Sequence, residues 1–535
     1  MLLNNFLEQS TKLFPQKTAI ICEGKRYAFA EIDRAASSLA RALIAQGFQK
    51  QDRAIIYLDN SYESITSIFG ILKAGGIFVT IDPGVKPKKL ESILLDCSAR
   101  VLITDSKRAL ELSAVYPSLK RLAFIIITDP ETNKSTGELI INIKSITDSE
   151  TNNSTGESII NIKLFSFWKM IESVKPAPIT QCCIDIDLAS IIYTSGSSGN
   201  PKGVMLTHLN MVSAVNSITQ YLENNQDDII LNTLPLSFDY GLYQVLMAFK
   251  FGGCVVLEKG FKFPEDIINL VIREKVTGWP MVPTIAAILC RLKNLEKHDF
   301  SHLRYITSTG QVLPTNHITR LREAFPGVKL YSMYGLTECK RVSYLPPEDI
   351  ERKPGSVGKA IPNTEAYLVN ESGEEITQAG IEGELVVRGS NVMQGYWNLP
   401  ELTEKVLRPG RYPGEKVLYT GDLFKKDAEG YLYFLGRKDD IIKTSGYMVS
   451  PKEVENVLHE MEDVIEAAVV GVPDEILGQA VKAFVYLSAN SKLNERDIRH
   501  FCYQNMESHA VPKFIQLCGP LAKTENGKIN KRDLL

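Results

Sequence analysis

Between Tyr193 and Gly203 the chain reads YTSGSSGNPKG, with glycines at 196, 199 and 203, small hydroxyls between them, and one lysine, Lys202. Exposed backbone N–H groups, hydroxyls and a cation on a glycine-permitted path can wrap a polyphosphate without steric conflict. The Walker pattern G-x-x-x-x-G-K-[ST] does not fit, because the lysine precedes the last glycine and no Ser or Thr follows it. A flexible Ser/Gly linker is the bland alternative. The strand-like run that leads in, Leu188 to Gly196, and the lysine inside the loop argue against it.

Four other stretches carry groups that could do chemistry. Tyr334 to Glu338, YGLTE, supplies an aromatic face, a hydroxyl and a carboxylate. Tyr334 can stack on a purine, and Thr337 and Glu338 offer hard oxygens for Mg²⁺. Asp422, closing YTGD, can accept two hydrogen bonds from a vicinal diol, although as a turn residue it needs no ligand. Asp239 sits in the otherwise apolar run PLSFDYGLYQVLMAF, where a carboxylate is costly unless paired or solvated. Asp239 or Ser237 could cap the helix that follows, or Asp239 could be the counter-charge for a substrate ammonium. Lys528 lies in a tail, TENGKINKRDLL, of a kind that usually frays and solvates.

Taken in order, Thr194 to Gly203, Tyr334 to Glu338, Tyr419 to Asp422, Gly436 to Lys443 and Asn526 to Lys528 resemble the five motifs of the adenylate-forming superfamily. That superfamily holds acyl-CoA synthetases, luciferases and the adenylation domains of peptide synthetases, and the resemblance covers nearly the whole chain. It implies attack of a carboxylate on the α-phosphate of Mg·ATP, release of pyrophosphate, and transfer of the acyl group to a thiol. By resemblance, ATP phosphates fall to Thr194, Ser195, Gly196 and Ser197, with Ser198, Gly199 and Lys202 completing the loop. Gly310, Gln311, Tyr334, Gly335 and Thr337 then face the adenine side, Asp422 the ribose, and Phe434 and Arg437 the nucleoside. Many members have Glu where this chain has Gln311. Thr337 and Glu338 become the metal residues, and Thr194, Glu338 and Lys528 the catalytic ones. Lys528 is expected to stabilise charge on the carboxylate and α-phosphate. Asp439 is expected to be the hinge about which the C-terminal domain swings, bringing up a face with Lys443 and Gly446.

In amino-acid-activating members an aspartate that looks like Asp239 holds the α-amino group. The resemblance therefore favours a prolyl–carrier-protein ligase of the kind that starts pyrrole and anatoxin-type alkaloid pathways. Asp239, Tyr240, Tyr243 and Met333 are the expected proline pocket, with Pro280, Thr309, Gly335 and Lys528 completing the substrate set. Arg341 does not fit an apolar proline site. A separate phosphopantetheinylated carrier protein is the expected acceptor, with CoA the alternative, because the chain stops seven residues beyond Lys528. One rival is an acyl-CoA ligase for a fatty or aryl acid, since some share the FDYGL and YLPPE sequences. Another is a non-catalytic nucleotide-binding relative, against which the joint presence of Lys202, Glu338, Asp422 and Lys528 argues.

The elements that must position these groups follow from composition and periodicity. A chain of 535 residues, 44% hydrophobic and 23% charged, is globular and too long for one core. A net charge of −3 gives no electrostatic reason to expect nucleic acid or an anionic membrane as partner. Nine cysteines without C-x-x-C spacing read as buried thiols of a reducing compartment. With no basic leader and no long apolar run, a cytoplasmic location is expected.

FAEIDRAASSLARALIAQGF has helical periodicity and a glycine stop at Gly47. RAIIYLDN, SYESITSIFGILKAGG and IFVTIDP then read as strand, helix and strand, which implies a parallel sheet with helices on its faces. The expected fold class is α/β: a large N-terminal domain, 1–437, of parallel-type sheets with helices plus a β-subdomain, and a small mobile α+β C-terminal domain, 438–535. Thr128 to Ile146 and Thr147 to Phe165 are nineteen-residue repeats differing at five positions. Residues 128–165 are thus expected to be a duplicated surface insertion, a polar turn plus a short IINIK strand, away from the chemistry.

Overall fold

The computed structural model describes residues 1–113, 115–129, 139–146, 157–173, 179, 183–195, 201–292, 295–310, 313–438, 440–444, 447–474, 477–506, 508–524 and 529–534. The fold is α/β, with mixed sheets and helices in a large N-terminal region and a smaller C-terminal domain. By contact the chain divides into two compact units. The first comprises Met1–Trp279, Thr337–Lys340 and Ser390–Lys405, and the second comprises Pro280–Leu336, Arg341–Gly389 and Val406–Leu535. Among the described residues no helix is long and apolar enough to cross a membrane.

The first unit is built on a nine-stranded sheet whose inner strands, Leu188–Ser195, Ile77–Thr80, Arg53–Tyr57, Val101–Thr104 and Phe124–Ile127, run parallel. The strand–helix–strand reading of residues 53–80 holds. Helix Tyr62–Lys73 joins Arg53–Tyr57 to Ile77–Thr80, and Ser61 starts it by accepting from the Ser64 N–H at 3.1 Å. Strands of a parallel sheet are buried on both faces, and Ile55, Val79, Leu102, Ile125 and Ile191 pack as one core. A second run of parallel strands in this unit aligns Thr18–Cys22 with Cys254–Leu257 and Cys254–Leu257 with Ile229–Asn232. Cys22, Cys97, Cys254 and Cys502 are buried thiols.

The duplication is more than a loop with a short strand. Leu139–Ile146 from one copy lies antiparallel to Glu157–Ser166 from the other, Ile141 opposite Ile162 and Asn142 opposite Asn161, and the second strand joins the sheet beside Phe124–Ile127. Each IINIK strand alone would leave a row of unpaired backbone groups, and its copy satisfies them. The expected polar turns, 130–138 and 147–156, lie outside the described residues.

In the second unit Tyr305–Ser308 and Lys329–Tyr334 are parallel, and Ser343–Leu345 and Lys359–Ala360 add antiparallel strands. The expected β-subdomain is a five-stranded antiparallel sheet centred on Glu382–Gly389 and Lys416–Lys426, with Leu432–Arg437 on the latter. The C-terminal sheet of five strands carries helices Pro451–His459 and Glu495–Asn505 over a core of Val454, Leu458, Val469, Val481 and Ile498.

The flanks of the C-terminal tail are tied down rather than frayed. Buried Glu455 accepts from the Val469 N–H at 3.0 Å and pairs with Lys531 at 2.6 Å, while Lys523 and Ile529 form an antiparallel bridge.

Gly358, in the GSVGK turn, has φ +81°, and a Cβ there would lie 1.7 Å from the Tyr344 carbonyl oxygen. Gly358→Ala is expected to cost about 3 kcal/mol from strain and overpacking. A thermal melt checks this, and an unshifted midpoint contradicts it.

Candidate active site

In the first unit the strands on either side of the expected phosphate loop pair with each other. Leu188–Ser195 lies antiparallel to Pro201–Thr207, which sets Lys202 opposite Thr194. Gly203 permits the close packing behind them, since a Cβ there would meet Ile191 at 2.7 Å. The Lys202 ammonium lies 4.7 Å from the centre of the Tyr396 ring, and the Tyr396 hydroxyl donates to Glu338 Oε1 at 2.7 Å. Thr194 and Lys202 are thus linked by strand pairing, and Glu338, distant in sequence, joins them through one tyrosine.

The turn Thr337–Lys340 is itself fastened. The Glu338 carbonyl accepts from the Met393 N–H, and the Cys339 carbonyl from Asn391 Nδ2, both at 2.8 Å. Sequence reasoning missed Tyr396, whose only signal was an aromatic pair, Tyr396-Trp397, after a glycine turn.

Asp239 opens the helix Asp239–Phe251, which is buried on every side along Tyr240 to Phe249. Neither Ser237 nor Asp239 caps it: the N-cap is Phe238, without a side-chain cap. A first-turn carboxylate still suits the positive end of the helix. The preceding LPLS turn is held by Asn60, which donates to the Leu234 carbonyl at 2.9 Å and accepts from the Leu236 N–H at 3.0 Å. Gly241 lets the helix begin close behind that turn, because a Cβ there would lie 2.4 Å from the Pro235 carbonyl oxygen.

The Asp239 carboxylate, expected to await a substrate ammonium, carries an ammonium from the chain itself. Lys340 Nζ lies 3.3 Å from Asp239 Oδ2, 4.6 Å from the Tyr243 ring centre and 5.4 Å from that of Tyr240. All four residues are buried, Asp239 at 7% and Lys340 at 4% exposure. Burial first, then the charge on Asp239, pushes the Tyr243 hydroxyl well above its ordinary pKa, so it stays a neutral phenol. Lys340 was not singled out from sequence. Its signal was the dibasic Lys340-Arg341 directly after YGLTEC and before the apolar Val342.

In the second unit Tyr334 ends the strand Lys329–Tyr334 and donates its hydroxyl to Asp422 Oδ2. Arg437, paired in register with Asp422 on the adjacent strand, brings Nε within 3.1 Å of Asp422 Oδ1. The Tyr334 ring lies nearly parallel to Phe434, with centres 6.2 Å apart. Tyr334, Asp422, Phe434 and Arg437 are thus brought together.

Thr309 and Met333 are buried, at 5% and 4% exposure, and Gly310 turns the chain after Tyr305–Ser308 with φ +96°. Pro280 lies within Gly278–Met281, Gly335 and Thr337 follow the strand that ends at Tyr334, and Arg341 is buried. Gly196, Ser197, Ser198, Gly199, Gln311, Asp439, Gly446 and Lys528 lie outside the described residues, as do the side chains of Ser195 and Lys443.

Comparison with known proteins agrees with these motifs. Residues 7–397 match the family described as AMP-binding enzyme, and residues 453–528 match the AMP-binding enzyme C-terminal domain. The chain is 33% identical over 540 residues to a long-chain-fatty-acid–CoA ligase of Bacillus subtilis, covering 100% of this chain and 94% of the relative. It is 29% identical over 544 residues to surfactin synthase subunit 2 of the same organism, covering 100% of this chain but 14% of that protein. Among solved structures, ATP-bound MatB from Rhodopseudomonas palustris superposes with a TM-score of 0.85 at 26% identity, covering 100% and 98% of the two chains. The anthranilate CoA ligase AuaEII in complex with anthranoyl-AMP gives 0.86 at 27% identity, covering 100% and 96%.

Breaking a buried ion pair from one side strands a charge, whereas removing both partners does not. Lys340→Met is expected to cost about 3–5 kcal/mol and Asp239→Asn/Lys340→Met much less. Urea unfolding of both variants checks this, and equal losses would contradict it.

Proposed function

The chain belongs to the AMP-binding enzyme family and is an AMP-forming acid–thiol ligase that adenylates a carboxylic acid with ATP. From that premise we propose that its acid is an amino acid, with L-proline the first candidate, and that a separate phosphopantetheinylated carrier protein takes the acyl group. One observation carries this reading: Asp239, Tyr240 and Tyr243 form a seat that grips an ammonium, that of Lys340. A buried carboxylate backed by tyrosine faces recognises a cation by charge and by ring quadrupole together. Proline offers a compact secondary ammonium and an apolar ring that suits such surroundings.

In this account an oxygen of the substrate carboxylate bonds to the α-phosphorus of ATP while the bond to the bridging oxygen breaks and pyrophosphate leaves. Lys202 and the backbone of its hairpin hold the phosphates, with Thr194 opposite. Asp422 takes the ribose hydroxyls, with Tyr334 and Arg437 fixing its carboxylate.

Glu338 and Thr337 suit Mg²⁺, which characteristically takes one or two carboxylates and completes its shell with substrate phosphates and water. Glu338 Oε1 is oriented by Tyr396, and its second oxygen is left for such a role. Bound there, the ion would neutralise charge on the phosphates. Lys528 is assigned to the charge that develops between carboxylate and α-phosphate, and Asp439 to the hinge.

A second reading has its own support. If Lys340 holds Asp239 permanently, the acid needs no ammonium, and the chain is a fatty- or aryl-acid–CoA ligase, as the name of the Bacillus subtilis relative suggests.

Pyrophosphate release with L-proline and with cyclopentanecarboxylate, the same ring without the nitrogen, separates the two. Preferential turnover of L-proline is expected, and preference for cyclopentanecarboxylate or for long-chain fatty acids would contradict the amino-acid reading. For the nucleoside assignment, Asp422→Asn is expected to raise the KM for ATP about tenfold or more, the worth of a charge-assisted hydrogen bond. Steady-state kinetics checks it, and an effect confined to the KM of the acid would refute the role.

A further inference from the structure

We infer that Lys340 is an internal occupant of the substrate-ammonium seat, neutralising Asp239 while the seat holds no substrate and yielding it to the substrate's ammonium. The inference deepens the amino-acid reading above and rests on it.

A carboxylate as deeply buried as Asp239 requires a counter-cation at all times, because desolvation of a lone charge is prohibitive. Before substrate arrives only the chain can supply it, and Lys340 is the cation in contact. The contact has the marks of an exchangeable one. At 3.3 Å it is longer than the 2.7–2.9 Å usual for a charge-assisted N–H···O bond. The seat also offers two ring faces, Tyr243 and Tyr240, which attract any ammonium by the same quadrupole.

Lys340 also holds φ +59°, a left-handed conformation that a long side chain seldom adopts. Its turn is pinned through the carbonyls of Glu338 and Cys339 to Met393 and Asn391. The backbone stays in place, so the lysine stem, with its four rotatable bonds, is the part able to withdraw.

Such an occupant sets specificity. An acid without an ammonium can neither displace Lys340 nor satisfy Asp239 once Lys340 has gone. An amino acid can do both, but it competes with a tethered cation at high effective concentration. Its apparent affinity is lowered by the fraction of time the seat is taken.

Removing the competitor should therefore tighten amino-acid binding. Lys340→Met and Lys340→Gln, the latter keeping an amide to hydrogen-bond Asp239, are expected to lower the KM for L-proline about tenfold or more, with kcat moved far less. A KM that is unchanged or raised in both overturns the inference.

A binding arm needs no turnover. Pyrrolidinium, the ring ammonium of proline without its carboxylate, should raise the thermal midpoint of Lys340→Ala. It should leave wild type and Asp239→Asn/Lys340→Ala unmoved. No rise in Lys340→Ala, or an equal rise in the double variant, overturns the inference. Preference of wild type for cyclopentanecarboxylate in the pyrophosphate assay sinks the amino-acid reading. If pyrrolidinium still binds Lys340→Ala in that case, the seat survives as a lysine seat and the displacement does not.

Discussion

A carboxylate buried in a largely apolar helix must be neutralised from somewhere, and in this protein that requirement organises the surroundings of Asp239. Asp239 stands at the first turn of a helix buried on all sides, with an asparagine-held turn in front of it and a glycine that allows the close approach. Those constraints leave the charge little water to solvate it. Two tyrosine rings and the ammonium of Lys340 are the answer the fold supplies. Under the proposed function, whether that ammonium stays or yields would decide which acids are accepted.

The phosphate end follows a different logic. A hairpin sets Thr194 and Lys202 opposite each other, and Tyr396 joins the lysine to Glu338 by ring face and hydroxyl. The turn that carries Glu338 also carries Lys340, so one backbone segment, anchored at Asn391 and Met393, positions both side chains. A single tyrosine, Tyr334, likewise unites the nucleoside group by donating to Asp422 and lying against Phe434.

What the sequence made legible was local. The strands and helix of residues 53–80 and the strand that ends near Ser195 follow from periodicity and glycine positions within a few residues. The motifs were readable because each packs its chemistry into three to ten consecutive residues. Lys340 was not legible, because its partner is 101 residues away and a lysine after a loop motif reads as solvated surface. Tyr396 lies 58 residues from Glu338, and nothing in its neighbourhood announces a role.

The capping reading of Ser237 failed because the N-cap position falls one residue later, on Phe238, whose side chain has no group to cap with. The duplicated insertion was legible as a repeat, but its pairing with itself depends on a ladder that neither copy forms alone. In each case the missing information was tertiary: a contact between segments whose sequences are independent of one another.

The central claim is that Asp239 receives the ammonium of the substrate. It is tested most directly by L-proline-dependent ATP–pyrophosphate exchange in wild type and in Asp239→Asn/Lys340→Met, where the seat has lost both charges without stranding either. The account predicts that exchange falls about a hundredfold in the double variant, as when a buried charge partner is removed from a complex. Exchange with L-proline at the wild-type rate would contradict it.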